Sequence, residues 1–220
     1  MNKHKAIIFD LDGVIVDTAK FHFLAWRKLA NDLGFDISHE QNEQLKGVSR
    51  VHSLRQILKW GEKDCSEDEF ERYLISKNED YLARISGMNE NDLLPGVKKV
   101  LDYLTSEKVP YALGSASKNA RPILKSLKIA DRFTAIVDGN DVTKAKPNPE
   151  VFLIAAEKLN VNPKDCIVFE DSLAGIQAAN SAGMTSIGIG DENILKEADY
   201  NFSDFTEINI GFLEEWVLKK

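Results

Sequence analysis

Five short apolar runs rich in β-branched residues constrain this chain more than any other feature of its sequence. They lie at Ala6–Phe9, Tyr111–Leu113, Ala135–Val137, Ile167–Phe169 and Thr185–Ile189. Helical spacing fills the intervals. Val97–Lys108 carries Val97, Val100, Leu101 and Leu104 on one face, and further helices are expected over Ala120–Leu127, Pro149–Leu159 and Ser172–Ala182. Strands alternating with helices predict a doubly wound, Rossmann-like α/β core: a parallel sheet with helices on both faces. Runs that are apolar throughout suit strands buried on both sides.

One region breaks the alternation. From Val16 to Asp92 no strand is expected, and four helical patterns follow one another. The first runs Thr18–Leu33 and stops at Gly34, the second spans His39–Lys46 and stops at Gly47, and the third runs Ser49–Trp60 and stops at Gly61. The fourth begins at Ser66, where Glu69 three residues on completes a capping box. The expected organisation is an α/β catalytic core over residues 1–15 and 93–220, with a helical cap inserted over residues 16–92.

Composition bounds the partners. Of 220 residues, 43% are apolar and 29% charged, which excludes a disordered or fibrous chain. The formal net charge is −7 with no basic block, which argues against nucleic acid or an anionic membrane as partner. Cys65 and Cys166 form no metal-binding or redox spacing, and no apolar run approaches the length of a membrane span. Asp10 and Asp12 interrupt the first apolar stretch, so no signal peptide is expected and a cytoplasmic location fits. With no heptad or exposed apolar stripe, a monomer acting on a small molecule is expected.

Chemistry gathers where the strands stop. The first runs into Asp10-Leu11-Asp12-Gly13, the second into Gly114-Ser115-Ala116-Ser117-Lys118-Asn119, the third reaches Lys144-Ala145-Lys146-Pro147, and the fourth runs into Glu170-Asp171-Ser172. Ligands of open α/β sheets bind beyond the carboxyl ends of the strands, so these segments converge if their strands are neighbours. Each also has a plainer reading: a surface turn for Asp10 and Asp12, a helix N-cap for Asp171, a solvated side chain for Lys146. Taken together, four carboxylates in one crevice cannot all stay ionised without compensation. Oxygen ligands favour Mg²⁺. With Lys146 added, one negative charge is still in excess, so one carboxyl is expected to be protonated, and Asp12 is the natural general acid. Ser115 lies in no nucleophile elbow. Its hydroxyl and the neighbouring N–H groups suit a phosphate cradle instead.

These four segments, in this order, resemble the haloacid dehalogenase superfamily of phosphotransferases across essentially the whole chain. The resemblance implies that Asp10 attacks phosphorus and forms an aspartyl phosphate, with Asp12 as acid/base. It implies that Asp10, the backbone carbonyl of Asp12, Glu170 and Asp171 hold Mg²⁺, and that Ser115 and Lys146 grip the transferring phosphoryl group. Within the cap, Asp17-Thr18-Ala19-Lys20-Phe21-His22 with Trp26, and Leu45-Lys46-Gly47-Val48-Ser49-Arg50 with Ser53, are similar to the β-phosphoglucomutase branch of that superfamily. So are Ser115-Ala116-Ser117-Lys118-Asn119 and Glu170-Asp171-Ser172-Leu173-Ala174-Gly175-Ile176. The implied reaction interconverts β-D-glucose 1-phosphate and β-D-glucose 6-phosphate through β-D-glucose 1,6-bisphosphate.

A mutase needs a second phosphate site, and Arg50 offers a permanently charged planar fork for one. Lys46 and the Gly47–Ser49 turn could orient the sugar. Thr18, His22 and Trp26 recur at helical spacing and share one face. The resemblance implies that His22 assists the proton of Asp12. Lys77 falls on an apolar stripe between Leu74 and Tyr81, so it either snorkels outward or points into the crevice, and a similar Lys-Asn pair in the relatives favours the second. His4, His39 and His52 have no expected role. Val51 and His52 stand where relatives usually carry an acidic residue, and Leu113-Gly114 where Ala is common before the Ser. The rivals are a sugar-phosphate phosphatase on the same scaffold and a non-catalytic sugar-phosphate-binding protein.

Overall fold

In a computed structural model, residues 5–45 and 49–215 are described. Along the chain, β1 (Ala6–Phe9) is followed by α1 (Ala19–Asp32), α2 (His39–Glu43), α3 (Arg50–Trp60) and α4 (Glu67–Ile85). Then come α5 (Val97–Ser106), β2 (Tyr111–Gly114), α6 (Ala120–Ser126), β3 (Ala135–Val137), α7 (Glu150–Leu159), β4 (Cys166–Glu170), α8 (Leu173–Ser181), β5 (Thr185–Ile189), β6 (Tyr200–Phe202) and α9 (Ile210–Leu213). The chain divides into two compact units: Thr18–Gly87, and the described residues through Asp17 together with those from Met88 onward. Among the described residues, no helix is long and apolar enough to cross a membrane.

The second unit is the doubly wound α/β core that the alternation predicts. Its six strands are all parallel, in the order β3-β2-β1-β4-β5-β6. The five apolar runs are the five inner or early strands. The sixth, Tyr200-Asn201-Phe202, was not expected: it is three residues long, lies at the sheet edge and is only partly buried, so no continuous apolar run marks it. Side chains alternate across β1, so Ala6 and Ile8 face one layer while Ile7 and Phe9 face the other. Ala6 and Ile8 pack with Ala112, Val168 and the apolar faces of α7 and α8. On the opposite face Phe9 stacks on Phe169 at 5.3 Å between ring centroids and meets Tyr111, Phe133 and Phe205. With both faces covered, β1 is fully buried along its length.

The Thr18–Gly87 unit is helical. Phe23, Trp26 and Leu29 of α1 pack with Leu54, Ile57 and Leu58 of α3 and with Leu74 of α4. The Ser66–Glu69 capping box forms as the sequence predicts: the Ser66 hydroxyl accepts from the Glu69 N–H, and the Glu69 carboxylate accepts from the Ser66 N–H at 2.8 Å. Before this unit, Val16 makes isolated bridges to Asp12 and Leu93, and Leu94 donates to the Ile15 carbonyl at 3.0 Å. The two chain segments that leave and re-enter the α/β core are thereby tied to each other within that core.

Phe9 is wholly buried and carries four of these aromatic contacts. Phe9→Ala should cost about 3–5 kcal/mol through lost burial and an unfilled cavity, read as a fall in the urea midpoint; an unchanged midpoint would contradict this account of the core.

Candidate active site

The sheet order puts β1 between β2 and β4, and the registers set Phe9 beside Leu113 and Phe169. One residue further on, Asp10 follows Phe9 beside Glu170, the last residue of β4. The Asp10 N–H continues the ladder by donating to the Phe169 carbonyl at 2.9 Å. Asp10 and Glu170 are both buried. Lys146 comes from the long connection after β3, and its ammonium donates both to Asp10 and to Glu170, the latter at 2.8 Å. The lysine side chain is only 9% exposed, so the solvated alternative is excluded. Its ammonium also lies 4.7 Å from the Phe152 ring centroid.

Residues with no assigned role in the sequence analysis hold these groups in place. Glu150, at the start of α7, accepts from the N–H groups of Thr143 and Lys144 and from the Thr143 hydroxyl, clamping the loop that presents Lys146. Glu170 uses its other oxygen to accept from the Ser172 N–H at 3.0 Å and hydroxyl at 2.7 Å. Ser172, rather than Asp171, caps α8, its hydroxyl accepting from the Gly175 N–H. Asp171 is therefore released from the capping role. A Cβ on Gly175 would lie 2.0 Å from the Glu170 carboxyl carbon, and one on Gly13 would lie 1.9 Å from an Asp171 oxygen, so both carboxylates sit against backbone that only glycine allows. Ser172 and Gly175 could have been found as the N-cap and N3 positions of a helix that follows an acidic strand end.

Electrostatics favour a cation. Asp10, Glu170 and Asp171 each offer an oxygen, and all three oxygens lie within 4.8 Å of one another. Three carboxylates against one lysine leave two negative charges uncompensated, which a divalent ion with a preference for oxygen ligands matches. Burial pushes Asp10 up to about 7 against the pull of Lys146, with Glu170 and Asp12 adding to the rise. Asp171 is exposed on its outer side, yet protein crowds its carboxyl. That desolvation, followed by Asp10 and Glu170, holds it above the usual carboxylate range. Burial works against a charged Lys146, but Asp10 and Glu170 outweigh it and keep the ammonium firmly protonated. The donor set therefore fits Mg²⁺. Asp12, half-buried two residues beyond Asp10, remains placed by sequence for its expected part.

Beyond β2, Ser115 is buried, its N–H donating to the Val137 carbonyl at 3.0 Å. Its hydroxyl accepts from the Ser117 N–H, and the Ser117 hydroxyl accepts from the Asn119 N–H. Ala116 and Lys118 are exposed, and Asn119 is buried.

The helical unit assembles a second group. Thr18 is buried at the head of α1, and its carbonyl accepts from the His22 N–H at 3.1 Å. Lys77 is 2% exposed, which excludes the snorkelling alternative. Its ammonium lies 2.9 Å from His22 Nδ1, 4.5 Å from the Trp26 ring and 5.0 Å from the Tyr81 ring, and Tyr81 stacks on His22. In the sequence Tyr81 is one more residue of an apolar stripe. Burial first, then the charge of Arg50, drives Lys77 down to about 7. Burial, Lys77 and Arg50 together hold His22 neutral, down to about 3. Arg50 opens α3 half-buried, and Ser53 is buried one turn on. Ser49 caps α3 and its hydroxyl lies 2.8 Å from His52 Nδ1, so His52, given no role by sequence, touches an expected site residue. Lys46, Gly47 and Val48 lie outside the described residues.

A family model of the haloacid dehalogenase-like hydrolases matches residues 4–183. The chain belongs to that family. The haloacid dehalogenase-like fold is shared with a β-phosphoglucomutase of Clostridium difficile, whose crystal structure superposes with a TM-score of 0.86 at 44% identity over 97% of each chain. Among curated relatives, the β-phosphoglucomutase of Bacillus subtilis is 43% identical over 96% of this chain and 95% of its own length. A phosphorylated carbohydrates phosphatase of Thermotoga maritima is 31% identical over 83% of each.

The depressed Lys77 makes a stability prediction. Between about pH 7 and its unfolded value near 10.5, the unfolded chain binds a proton that the folded chain does not, so this lysine lowers stability as pH falls through that window. Lys77→Met should therefore raise the melting temperature at pH 7, and the gain should shrink toward pH 10.5. A variant that melts lower at pH 7 would show that the buried ammonium stabilises the unit.

Proposed function

We propose that the protein is a Mg²⁺-dependent β-phosphoglucomutase, interconverting β-D-glucose 1-phosphate and β-D-glucose 6-phosphate through an aspartyl phosphate on Asp10 and β-D-glucose 1,6-bisphosphate. The observation that carries this reading is the lysine bridge: Lys146 bonded to both Asp10 and Glu170 where β1 and β4 end. The extent of the likeness to two β-phosphoglucomutases supports it. A bound Mg²⁺, held by Asp10, the Asp12 carbonyl, Glu170 and Asp171, would neutralise charge on the phosphoryl group in flight.

The protein's own groups perform the rest. With Asp10 phosphorylated, Asp12 takes the proton from the 6-hydroxyl of β-glucose 1-phosphate as that oxygen attacks phosphorus and the Asp10 carboxylate leaves. The bisphosphate turns round. Asp10 then attacks the phosphorus on the 1-oxygen, the P–O bond to the sugar breaks, and Asp12 returns the proton to that oxygen. Phosphoryl transfer of this kind is largely positioning and charge neutralisation. Lys146 and Ser115, with the Ala116–Asn119 backbone, hold the transferring group. His22, kept neutral, and Thr18 assist the proton of Asp12. Arg50 grips the second phosphate, while Trp26, Lys46, Gly47, Val48, Ser49, Ser53 and Lys77 hold the sugar. The enzyme works as a cytoplasmic monomer.

Supplied with Mg²⁺, a trace of β-glucose 1,6-bisphosphate and β-glucose 1-phosphate, the protein should form glucose 6-phosphate with little free phosphate, and the α anomer should react far more slowly. Rapid phosphate release with little isomer would make it a phosphatase, the activity named for its Thermotoga relative. Asp10→Asn should abolish turnover.

The second phosphate site has its own test. Arg50→Ala should weaken the bisphosphate about tenfold or more, the worth of a charged hydrogen bond, while a small phosphoryl donor still labels Asp10 slowly. Unchanged bisphosphate kinetics would remove Arg50 from the site.

A further inference from the structure

The turn after β3 is built differently from a simple connection. Asp138 is fully buried. One of its oxygens accepts from the Asn140 N–H at 2.8 Å, and the other pairs with Arg121 Nε at 3.0 Å. Asp141 closes the ring: its carboxylate accepts from the Asp138 N–H and from an Arg121 Nη, both at 2.9 Å. The same Nη donates to the Ile136 carbonyl. Arg121 belongs to α6, the helix that grows directly out of the Ser115–Asn119 loop. The turn is thus tied from behind to the element that the loop starts.

From its front the turn reaches the loop itself. The Gly139 N–H donates to the Ser117 carbonyl at 3.2 Å, and the Asn140 side-chain amide donates to the Lys118 carbonyl at 3.0 Å. A Cβ on Gly139 would lie 2.3 Å from the Ala116 carbonyl oxygen, so the two backbones touch. A planar trans peptide points its C=O and the following N–H in opposite directions. Fixing the Ser117 carbonyl on Gly139 therefore aims the Lys118 N–H away from the turn. Fixing the Lys118 carbonyl on Asn140 does the same for the Asn119 N–H, which meets the Ser117 hydroxyl. Two carbonyl dipoles that would repel an anion are drawn off, and the Lys118 N–H is left on the other side, with the Ser117 hydroxyl held there by the Asn119 N–H.

We propose that the Asp138–Asp141 turn positions the Ser115–Asn119 loop for anion binding, with Gly139 and Asn140 as the positioning residues. The proposal rests on the reading above in which that loop holds a phosphoryl group. Neither residue touches the substrate. The turn acts by orienting peptide groups that do.

Asn140 is exposed and can be changed with little risk to folding. Asn140→Ala should raise KM for β-glucose 1-phosphate, and the inhibition constant of inorganic phosphate, about fivefold, the scale of one lost hydrogen bond. The fall in kcat should be smaller and the melting temperature nearly constant. Asn140→Gln, which keeps an amide, should recover part of the affinity. Ser117→Ala, measured alongside, tests the loop directly. If Ser117→Ala weakens phosphate and Asn140→Ala does not, the positioning proposal is wrong and the reading of the loop stands. If neither changes phosphate affinity, the loop is not the cradle and both fall. If Asn140→Ala lowers only the melting temperature, the turn is a structural brace and the proposal is overturned. Should Asn140→Ala fail to fold, Asn140→Ser, which also removes the amide that donates to Lys118, decides: affinity and kcat both at wild-type level overturn the proposal, and a selective rise in KM supports it.

Discussion

One lysine between two buried carboxylates is the interaction on which the rest depends. Asp10 and Glu170 lie at adjacent strand ends with almost no access to water. Two like charges so placed are tolerated only with a countercharge and further hydrogen bonds. Lys146 supplies the charge, and Ser172 supplies two hydrogen bonds to Glu170. The loop clamped by Glu150 delivers the lysine. The arrangement is poised rather than balanced, because Asp171 adds a third carboxylate beside it. A metal ion and a phosphoryl group can complete it in turn, the first bringing positive charge and the second negative.

The sheet makes this geometry inexpensive. In a parallel sheet every strand ends on the same edge, and the order reverses direction next to β1. At such a switch point the loops on either side diverge and leave a crevice. β1 sits between β2 and β4, so the aspartate after β1 has the Ser115 loop on one side and Glu170 on the other. The aromatic layer of Phe9, Phe169 and Phe205 lies directly beneath that edge. Rigid packing there holds the carboxylates close without relying on the loops alone.

Much of this was legible in the sequence because it rests on local signals. β-branched runs mark the first five strands, and the Ser66–Glu69 spacing marks a helix start. The acidic residues that meet lie at or directly after strand ends, and Lys146 reaches them from the connection that follows β3. What was not legible depends on distant partners. β6 pairs along a short edge with no apolar run of its own. Glu150 reads as an ordinary first-turn acid until the fold brings Thr143 and Lys144 to it. Lys77 lay on an apolar stripe that equally allowed an outward path, and only the packing of α1 against α4 shows its ammonium between aromatic rings. Ser172 took the capping role for which Asp171 was the plainer candidate, because Glu170 turns back to bind it.

Each unit is electrostatically incomplete by itself, in opposite senses. In the α/β core, buried carboxylates outnumber the lysine, and Asp10 is raised accordingly. In the helical unit, a buried ammonium sits against His22, Trp26 and Tyr81, and its proton is loosened by burial and by Arg50. Neither cost is needed to fold an α/β sheet or a helical bundle, and apolar residues at either place would raise stability. Buried charge kept at such a cost belongs to binding, because a ligand of the right charge recovers in the complex what the free protein gives up. The core calls first for a divalent cation, and the helical unit calls for an anion.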